Sequence, residues 1–471
     1  MKPVPIMSLG PTGHVSVAPS LSEIDFADIF VRHYGDKWRH VSEWNEWFEW
    51  TAADGWVRDQ TDAVKSDVIG LLRQSQQWMD AAGLTDAQKR SMAGHGAVTG
   101  ILGVAAAHRD IAVRAEVWDA DPMLLGVPGG IVDLRTGEMR RPEKTDFVSR
   151  RCRVAPEAGT PRLWLGHMDR VFKGDQEMIA FLRRWWGYCL TGKVGEHSLV
   201  YLYGTGRNGK GTIIEAVVGM LGDYGYAAPV ELLMEGKERH PVELAMLRGK
   251  RVVSCSEPRQ GSHWDDGRIR WLTGGDTITA RRMNENLSSF VPTHKLCVMG
   301  NHKPSLRSVD EAVKARFNIL DFSVTIPPEE RDPEFSEKLK QEWPQILRWM
   351  IDGCLDWQEV GLSRPESMIE TTQEYLADEN IIAQFIAENC ERGQELFDTI
   401  PTIYRAFTKW SEAMGDRFPV SRKTFQSQLE STPGIERKKN PTGAPSVKGI
   451  ALKVAPRVET GGTPSWMNED D

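Results

Sequence analysis

The sequence predicts an α/β fold with a mainly parallel central sheet. Three observations carry that reading. Short apolar runs at 199–203, 251–256 and 295–300 alternate with helical patterns, and strands alternating with helices imply parallel pairing through crossover helices. The first run leads straight into a glycine-rich turn and an amphipathic helix, in SLVYLYGTGRNGKGTIIEAVVGML at 198–221. Apolar residues at helical spacing fill much of the chain on either side of this core.

Ser22 stands as an N-cap before Ile24, Phe26, Ile29, Phe30 and Tyr34, which share one helical face. WFEWTAADGWVRD carries aromatics on both sides of Asp54-Gly55, a hairpin signal. Helical periodicity returns at about 62–82 and 86–107, and LLGVPGGIVDLRTGEMRR (124–141) reads as two short strands around Thr136-Gly137. Further helices are expected at 174–192, with Trp185 and Trp186, and at 342–357 and 365–390. Two more follow at Ile400–Met414 and Arg422–Glu430, then a hairpin. The stretch after Arg457 is acidic and rich in Gly, Thr and Pro, the composition of a disordered tail.

Composition bounds the function. The 471 residues suggest about three domains. No apolar run approaches the roughly 18 residues of a membrane span, and MKPVPIMSLGPTGHVSVAPS lacks the apolar centre of a signal peptide, so residues 1–20 read as a flexible tail. The six cysteines form no C-x-x-C pair or zinc spacing, which fits free, buried thiols in a reducing compartment. The early tryptophans Trp38, Trp44, Trp47, Trp50 and Trp56 are not regularly interleaved with basic residues, so they read as packing anchors rather than a base-stacking platform. A net charge of −8 excludes a protein that coats nucleic acid through overall positive charge, but not one with local basic sites. Residues 401–457 hold 11 Lys and Arg against 4 Asp and Glu, while residues 458–471 hold four acids and no base. The remaining 400 residues hold 47 bases and 58 acids, so the basic excess is concentrated in one late segment. Arg422 and Lys423 open its second helical stretch, and Arg437, Lys438 and Lys439 fall where a strand would start. Such a cluster is either a solvated face or a nucleic-acid contact.

Gly204-Thr205-Gly206-Arg207-Asn208-Gly209-Lys210-Gly211-Thr212, followed by Ile213, is a G-x-x-x-x-G-K phosphate loop in its required strand–loop–helix context. Glycines let backbone amides converge on an anion, the helix N-terminus adds a favourable dipole, and Lys210 is placed to reach β- and γ-phosphates. The position after the lysine usually holds Ser or Thr as a magnesium ligand. Here it is Gly211, leaving Thr212 as the candidate.

Three further residues are candidates by position. Glu257 follows the strand at 251–256, at the sheet edge where ligands bind in open α/β folds. It could orient water and help hold magnesium, or be a solvated strand-end acid. Asn301 follows the strand at 295–300, where an amide could bond a γ-phosphate or the attacking water, or simply suit a turn. Arg316 precedes a further strand, either as a structural residue or as a finger reaching a neighbouring subunit's phosphate.

Taken together, GTGRNGKGT, VVSCSEP, LTGGDTITARRM (272–283), GNHKP and KARF, in that order, resemble the superfamily 3 helicases of phages, plasmids and large DNA viruses, closest to the poxvirus-type and satellite-phage-type primase–helicase group. The resemblance covers about residues 25–455 and weakens toward the N-terminus. It implies an AAA+-like ATPase at 159–392, a mainly helical domain with hairpins before it at 21–158, and a winged helix after it at 393–457, with an acidic tail at 458–471. It implies ATP and magnesium as cofactors, with Lys210, Glu257, Asn301 and Arg316 catalytic and Thr212 and Glu257 at the metal. Arg281 and Arg282 fall at the family's channel hairpin, where they could contact DNA phosphates or be salt-bridged at a subunit interface. The partners implied are single-stranded and forked DNA, further copies in a hexameric ring, and a separate primase or replication protein, with no membrane. The setting implied is the cytoplasm of a bacterial host. The aspartate pair and histidine of a primase are absent before residue 150, so primase activity is not expected in this chain. The activity expected is an ATP-dependent replicative helicase. An ATP-switched initiator or loader without unwinding is the alternative, and a remodeller acting on something other than nucleic acid is a third reading.

Overall fold

The computed structural model describes residues 8–9, 15–16 and 22–453, save 82, 237–240, 257, 259–261, 282–286, 303–305, 307–310, 379–380, 415–418 and 440–443. The tail expected at 458–471, and all of 1–20 but two short pairs, lie outside the described residues.

Ser8–Leu9 (β1) pairs antiparallel with Val15–Ser16 (β2). Helix α1 (Glu23–Tyr34) starts with a capping box in which Ser22 and Asp25 satisfy each other's backbone amides. Its apolar face, led by Phe26 and Phe30, is buried against α2 (Ala63–Gln74), α3 (Gln76–Ala81), α4 (Asp86–Met92) and α5 (His95–Ala106). The stretches read as single helices at 62–82 and 86–107 are each divided. Ser75 caps the first break, with both its amide and hydroxyl on the Leu71 carbonyl, and Gly94 begins the second helix.

Between α1 and α2 lies an antiparallel sheet of Trp38–Val41 (β3), Glu46–Thr51 (β4) and Gly55–Arg58 (β5). The hairpin at Asp54-Gly55 is formed, with Gly55 at φ 75° and Trp50 opposite Trp56. The tryptophans do pack: Trp38 and Trp56 are buried, and Trp44, Trp47 and Trp50 are partly buried against the two clusters around them. The 124–141 segment makes three strands rather than two: Leu124–Val127 (β6), Gly130–Asp133 (β7) and Glu138–Arg140 (β8). Gly129 at φ 80° supplies the extra turn beside the expected one at Gly137.

Two helices, α6 (Arg162–Val171) and α7 (Gln176–Leu190), lead into the central sheet. Leu199–Tyr203 (β9) is followed by α8 (Lys210–Leu221), Gly225–Ala228 (β10), α9 (Pro241–Ala245) and Val252–Ser256 (β11). Then come α10 (Asp266–Gly274), the hairpin of Ile278–Ala280 (β12) and Ser288–Phe290 (β13), Lys295–Gly300 (β14), α11 (Glu311–Lys314) and Phe317–Asp321 (β15). The five strands pair in the order β10-β11-β14-β9-β15, and every pairing is parallel. Both faces are covered, as continuous apolar strands require. Val200 and Leu202 join one core with Trp164, Trp185, Trp186 and Met350. Leu199 and Tyr201 join the other with Trp264, Val298 and Tyr375.

After α12 (Phe335–Lys340), the long helix α13 (Trp343–Val360) crosses α7 at two glycines. A Cβ on Gly187 would lie 2.1 Å from the Cys354 amide nitrogen, and one on Gly353 2.0 Å from the Arg183 carbonyl oxygen. The 365–390 region holds two helices, α14 (Glu366–Asp378) and α15 (Ile381–Asn389). The last unit joins α15, α16 (Ile400–Ala413) and α17 (Arg422–Ser431) around a shared core with an antiparallel sheet. Its strands are Cys390–Thr399 (β16), Glu436–Lys439 (β17) and Pro445–Leu452 (β18), in the order β16-β18-β17. The polar strand β16 has no sequence signal and is broken by a bulge between Gly393 and Phe397.

At the N-terminal edge of the central sheet two buried cations join segments distant in sequence. Arg251 donates to the carbonyls of Leu190 and Leu124 and lies over the Tyr224 ring. Lys295 donates to the carbonyls of Thr191, Thr293 and Lys193, with the Tyr188 ring 4.9 Å away. The acceptors at Leu190, Thr191 and Lys193 lie at or just beyond the C-terminus of α7, so the cations sit at the negative end of a helix dipole. All six cysteines are free and buried. Among the described residues no helix is long and apolar enough to cross a membrane.

Candidate functional site

The loop at 204–209 joins the C-terminal end of β9 to α8. Its geometry needs glycine. Gly206 and Gly209 have φ of 98° and 86°. A Cβ on Gly204 would lie 2.2 Å from the Asn208 Nδ2 and 2.5 Å from the Phe322 carbonyl oxygen. Arg207 shares the left-handed conformation at φ 54°, a modest strain of the kind that collects at functional loops.

Three bonds fix the loop's shape. Asn208 is 2% exposed, and its Nδ2 donates to the Phe322 carbonyl at 2.9 Å, tying the loop to the segment after β15. The Ile326 amide donates to the Arg207 carbonyl at 3.0 Å, and the Gly204 amide to the Gly300 carbonyl at 3.2 Å. Lys210, at the first position of α8, is buried. Its Nζ donates to the Gly204 carbonyl at 2.7 Å, to Asn208 Oδ1 at 2.9 Å and to Asn301 Oδ1 at 3.3 Å. Asn301, directly after β14, is exposed and faces the loop across adjacent strands. Two residues far apart in sequence therefore meet at the C-terminal edge of a parallel sheet, where such folds bind ligands.

A cleft of about 350 Å³ opens there, lined by Arg207, Lys210, Thr212, Glu215, Met299 and Asn301 with the loop backbone. The start of α8 lies at this cleft, and a helix N-terminus suits a phosphate. Thr205 lies exposed at the loop's apex, Thr212 is half-buried in the first turn of α8, and Ile213 is buried in the core beneath. A Cβ on Gly211 would meet nothing within 4 Å, so packing does not demand the missing hydroxyl at that position.

The other candidates are placed apart. Ser256 ends β11 on the same sheet edge, but Glu257 itself lies outside the described residues. Arg316 sits at the opposite edge: its carbonyl accepts from the Leu199 amide at the start of β9. Its guanidinium donates to Thr273 Oγ1 at 3.1 Å and to the Ala312 carbonyl at 2.6 Å, so within one chain it is not brought to Lys210. Arg281 is exposed just after β12, and Arg282 lies outside the described residues. Arg422 and Lys423 are exposed at the start of α17. Arg437 and Lys438 are exposed on β17, with Arg437 3.6 Å from Glu430, and Lys439 ends that strand.

Residues 27–173 match the family model described as D5 N terminal like, and residues 202–316 match a family of unknown function, DUF5906. A protein of Acanthamoeba polyphaga mimivirus that is named as a helicase is 25% identical over 324 residues, 62% of this chain and 33% of that protein. One of Sputnik virophage, also named as a helicase, is 24% identical over 263 residues, 51% of this chain and 33% of that protein. These matches support a viral or phage superfamily 3 primase–helicase-type protein. A helicase-named protein of Frog virus 3 is 22% identical over 297 residues, 58% of this chain and 28% of the viral one. The chain spans about a third of the length of the curated relatives it matches. The apo structure of the NrS-1 C terminal region aligns over 92% of this chain and 100% of that one, at 9% identity and a TM-score of 0.47.

One residue beside the loop has no sequence signature. His167, on α6, lies 3.3 Å through its Nε2 from the Gly209 carbonyl oxygen. A lone histidine in an amphipathic helix looks like any core residue. Its partner is 42 residues away, and only the fold brings the two together.

Proposed function

We propose that this protein is an ATP-hydrolysing DNA helicase serving replication of a phage or related mobile element, and that it works as a ring of identical subunits. The observation that carries the reading is the cradle at the end of β9, where the buried Lys210 ammonium meets Asn301 beside the amides that start α8. Three features fit a nucleoside triphosphate there. Gly204 and Gly209 stand where a Cβ would collide with its surroundings, which leaves the loop backbone uncovered by side chains there. The helix start favours negative charge. The cation is pre-positioned by two acceptors of the same loop.

In this reading Lys210 and the loop amides bind the β- and γ-phosphates, and Asn301 orients the γ-phosphate or the attacking water. Magnesium would supply neutralisation of the charge that develops on the transferring phosphoryl group. Thr212 and Glu257 are the residues that would hold it. Glu257 also orients the water. Arg316 acts in trans on the neighbouring subunit's nucleotide, consistent with its place on the far sheet edge. Arg281 and Arg282, at the β12–β13 hairpin, contact one DNA strand. The last unit acts as a winged helix, with Arg422, Lys423, Arg437, Lys438 and Lys439 against phosphates. Lys210→Ala is expected to abolish DNA-stimulated ATP hydrolysis. Normal hydrolysis by that variant overturns the proposal.

A second reading, an ATP-switched initiator or loader, is favoured by one observation. Gly211 replaces the usual hydroxyl residue although nothing crowds that position. A forked-duplex assay separates the two. ATP hydrolysis without strand separation identifies the switch.

A further inference from the structure

Helix α6 lies within the region that matches the D5 N terminal like family, yet it is built into the phosphate loop. Its first turn is fixed from a distance. The Leu163 and Trp164 amides donate to the Glu342 carboxylate, at 3.0 and 3.1 Å. Near its other end Arg170 pairs with Glu330. Between these anchors His167 is 7% exposed, with its ring 5.3 Å from that of Phe335. Because its partner is a carbonyl oxygen, Nε2 must carry the hydrogen and donate to Gly209. Burial, partly offset by the bond to Gly209 and aided by the charge of Arg170, holds the imidazole below its usual pKa.

The accepting carbonyl matters because of what is joined to it. The Gly209–Lys210 peptide is planar, so its C=O and N–H point in opposite directions. A donor that holds the Gly209 oxygen on the α6 side turns the Lys210 amide toward the cleft. The same oxygen accepts the first helical bond from the Ile213 amide at 3.3 Å. The imidazole thus joins the hydrogen-bonded chain that begins α8, and hydrogen bonds in such a chain polarise one another. The position is also sterically closed. A Cβ at Gly209 would lie 2.5 Å from the His167 Nε2 and 2.9 Å from Val171.

We propose that His167 is a positioning residue of the phosphate loop, holding the Gly209–Lys210 peptide so that the loop amides meet the phosphates of a nucleoside triphosphate. This rests on the nucleotide reading of the site. It makes the D5-like region a structural part of nucleotide binding and not merely its neighbour in sequence.

The test compares two variants in the full chain. His167→Leu keeps apolar volume and removes the donor, whereas His167→Gln offers an amide N–H in place of Nε2–H. Binding of a fluorescent ADP analogue is measured together with KM and kcat for ATP. The expected result for His167→Leu is a rise in Kd and KM of about 5–20-fold with kcat within about threefold, and for His167→Gln values within about threefold of the parent. Unchanged binding by His167→Leu, or equal impairment of both variants, overturns the proposal. Lys210→Ala is run alongside. If it binds nucleotide normally, the nucleotide reading fails and takes this proposal with it. If it does not bind while His167→Leu does, only the role of His167 fails.

Discussion

Asn208 joins the loop at 204–209 to the segment after β15, and both ends of its side chain are engaged: the amide nitrogen donates to the Phe322 carbonyl and the oxygen accepts from Lys210. Asn208→Ala leaves the Phe322 carbonyl without that partner and frees Lys210 from one acceptor. The expected loss of stability is about 1–3 kcal/mol, read as a fall in the thermal midpoint, with weaker nucleotide binding in the same variant. At this scale the loop was legible. Glycines at 204, 206 and 209 and a lysine at 210 are a pattern few other structures require. The partners that hold the loop were not legible, because Phe322 is 114 residues from Asn208 and Gly209 is 42 from His167. No local periodicity reports such distances.

Lys295 shows how a strand start can carry an energetic cost. Burial, partly offset by the nearby Cys189 thiol, pulls its ammonium down to about 7, against about 10.4 in an unfolded chain. Between those values the unfolded chain holds a proton that the folded chain does not, so folding gains stability as pH rises through that window. Urea unfolding at pH 7 and pH 9 should therefore show a gain of about 1–3 kcal/mol, and the gain should shrink in Lys295→Met. A gain of equal size in that variant would assign the effect to another group. Among the elements, the apolar strands at 199–203, 251–256 and 295–300 were readable because burial on both faces makes them continuous hydrophobic runs. Strand β10 was not: GYAA is too short and too small to stand out. Strand β16 is polar along most of its length and reads as a loop. The breaks at Ser75 and Gly94 carry no proline, and the helical pattern continues on both sides of each.

For the whole molecule, the overall charge of −8 concealed a basic segment at 401–457. Two of its cations, Arg437 and Lys438, stand exposed on β17. In the proposed function they meet DNA phosphates. The pair Arg437→Glu with Lys438→Glu should weaken binding to single-stranded DNA. It should also flatten the slope of log affinity against log salt by about 1.4, or roughly 0.7 for each phosphate that is no longer neutralised. An unchanged slope would remove these residues from the interface. The sequence carries no sign of how the segments before the central sheet are joined to it. The N-terminal edge of the sheet supplies it: Arg251 reaches back to the Leu124 carbonyl in β6, and Lys295 holds the end of α7. The consequence is evolutionary. Viral and phage genes exchange segments by recombination, and a crossover between the D5-like region and the parallel-sheet core would pair Arg251 with a foreign backbone and His167 with a foreign loop. Each mismatch leaves a buried polar group unanswered. Selection would therefore transmit the two regions together, as a single heritable block, while the last unit, with its own core, is free to be traded.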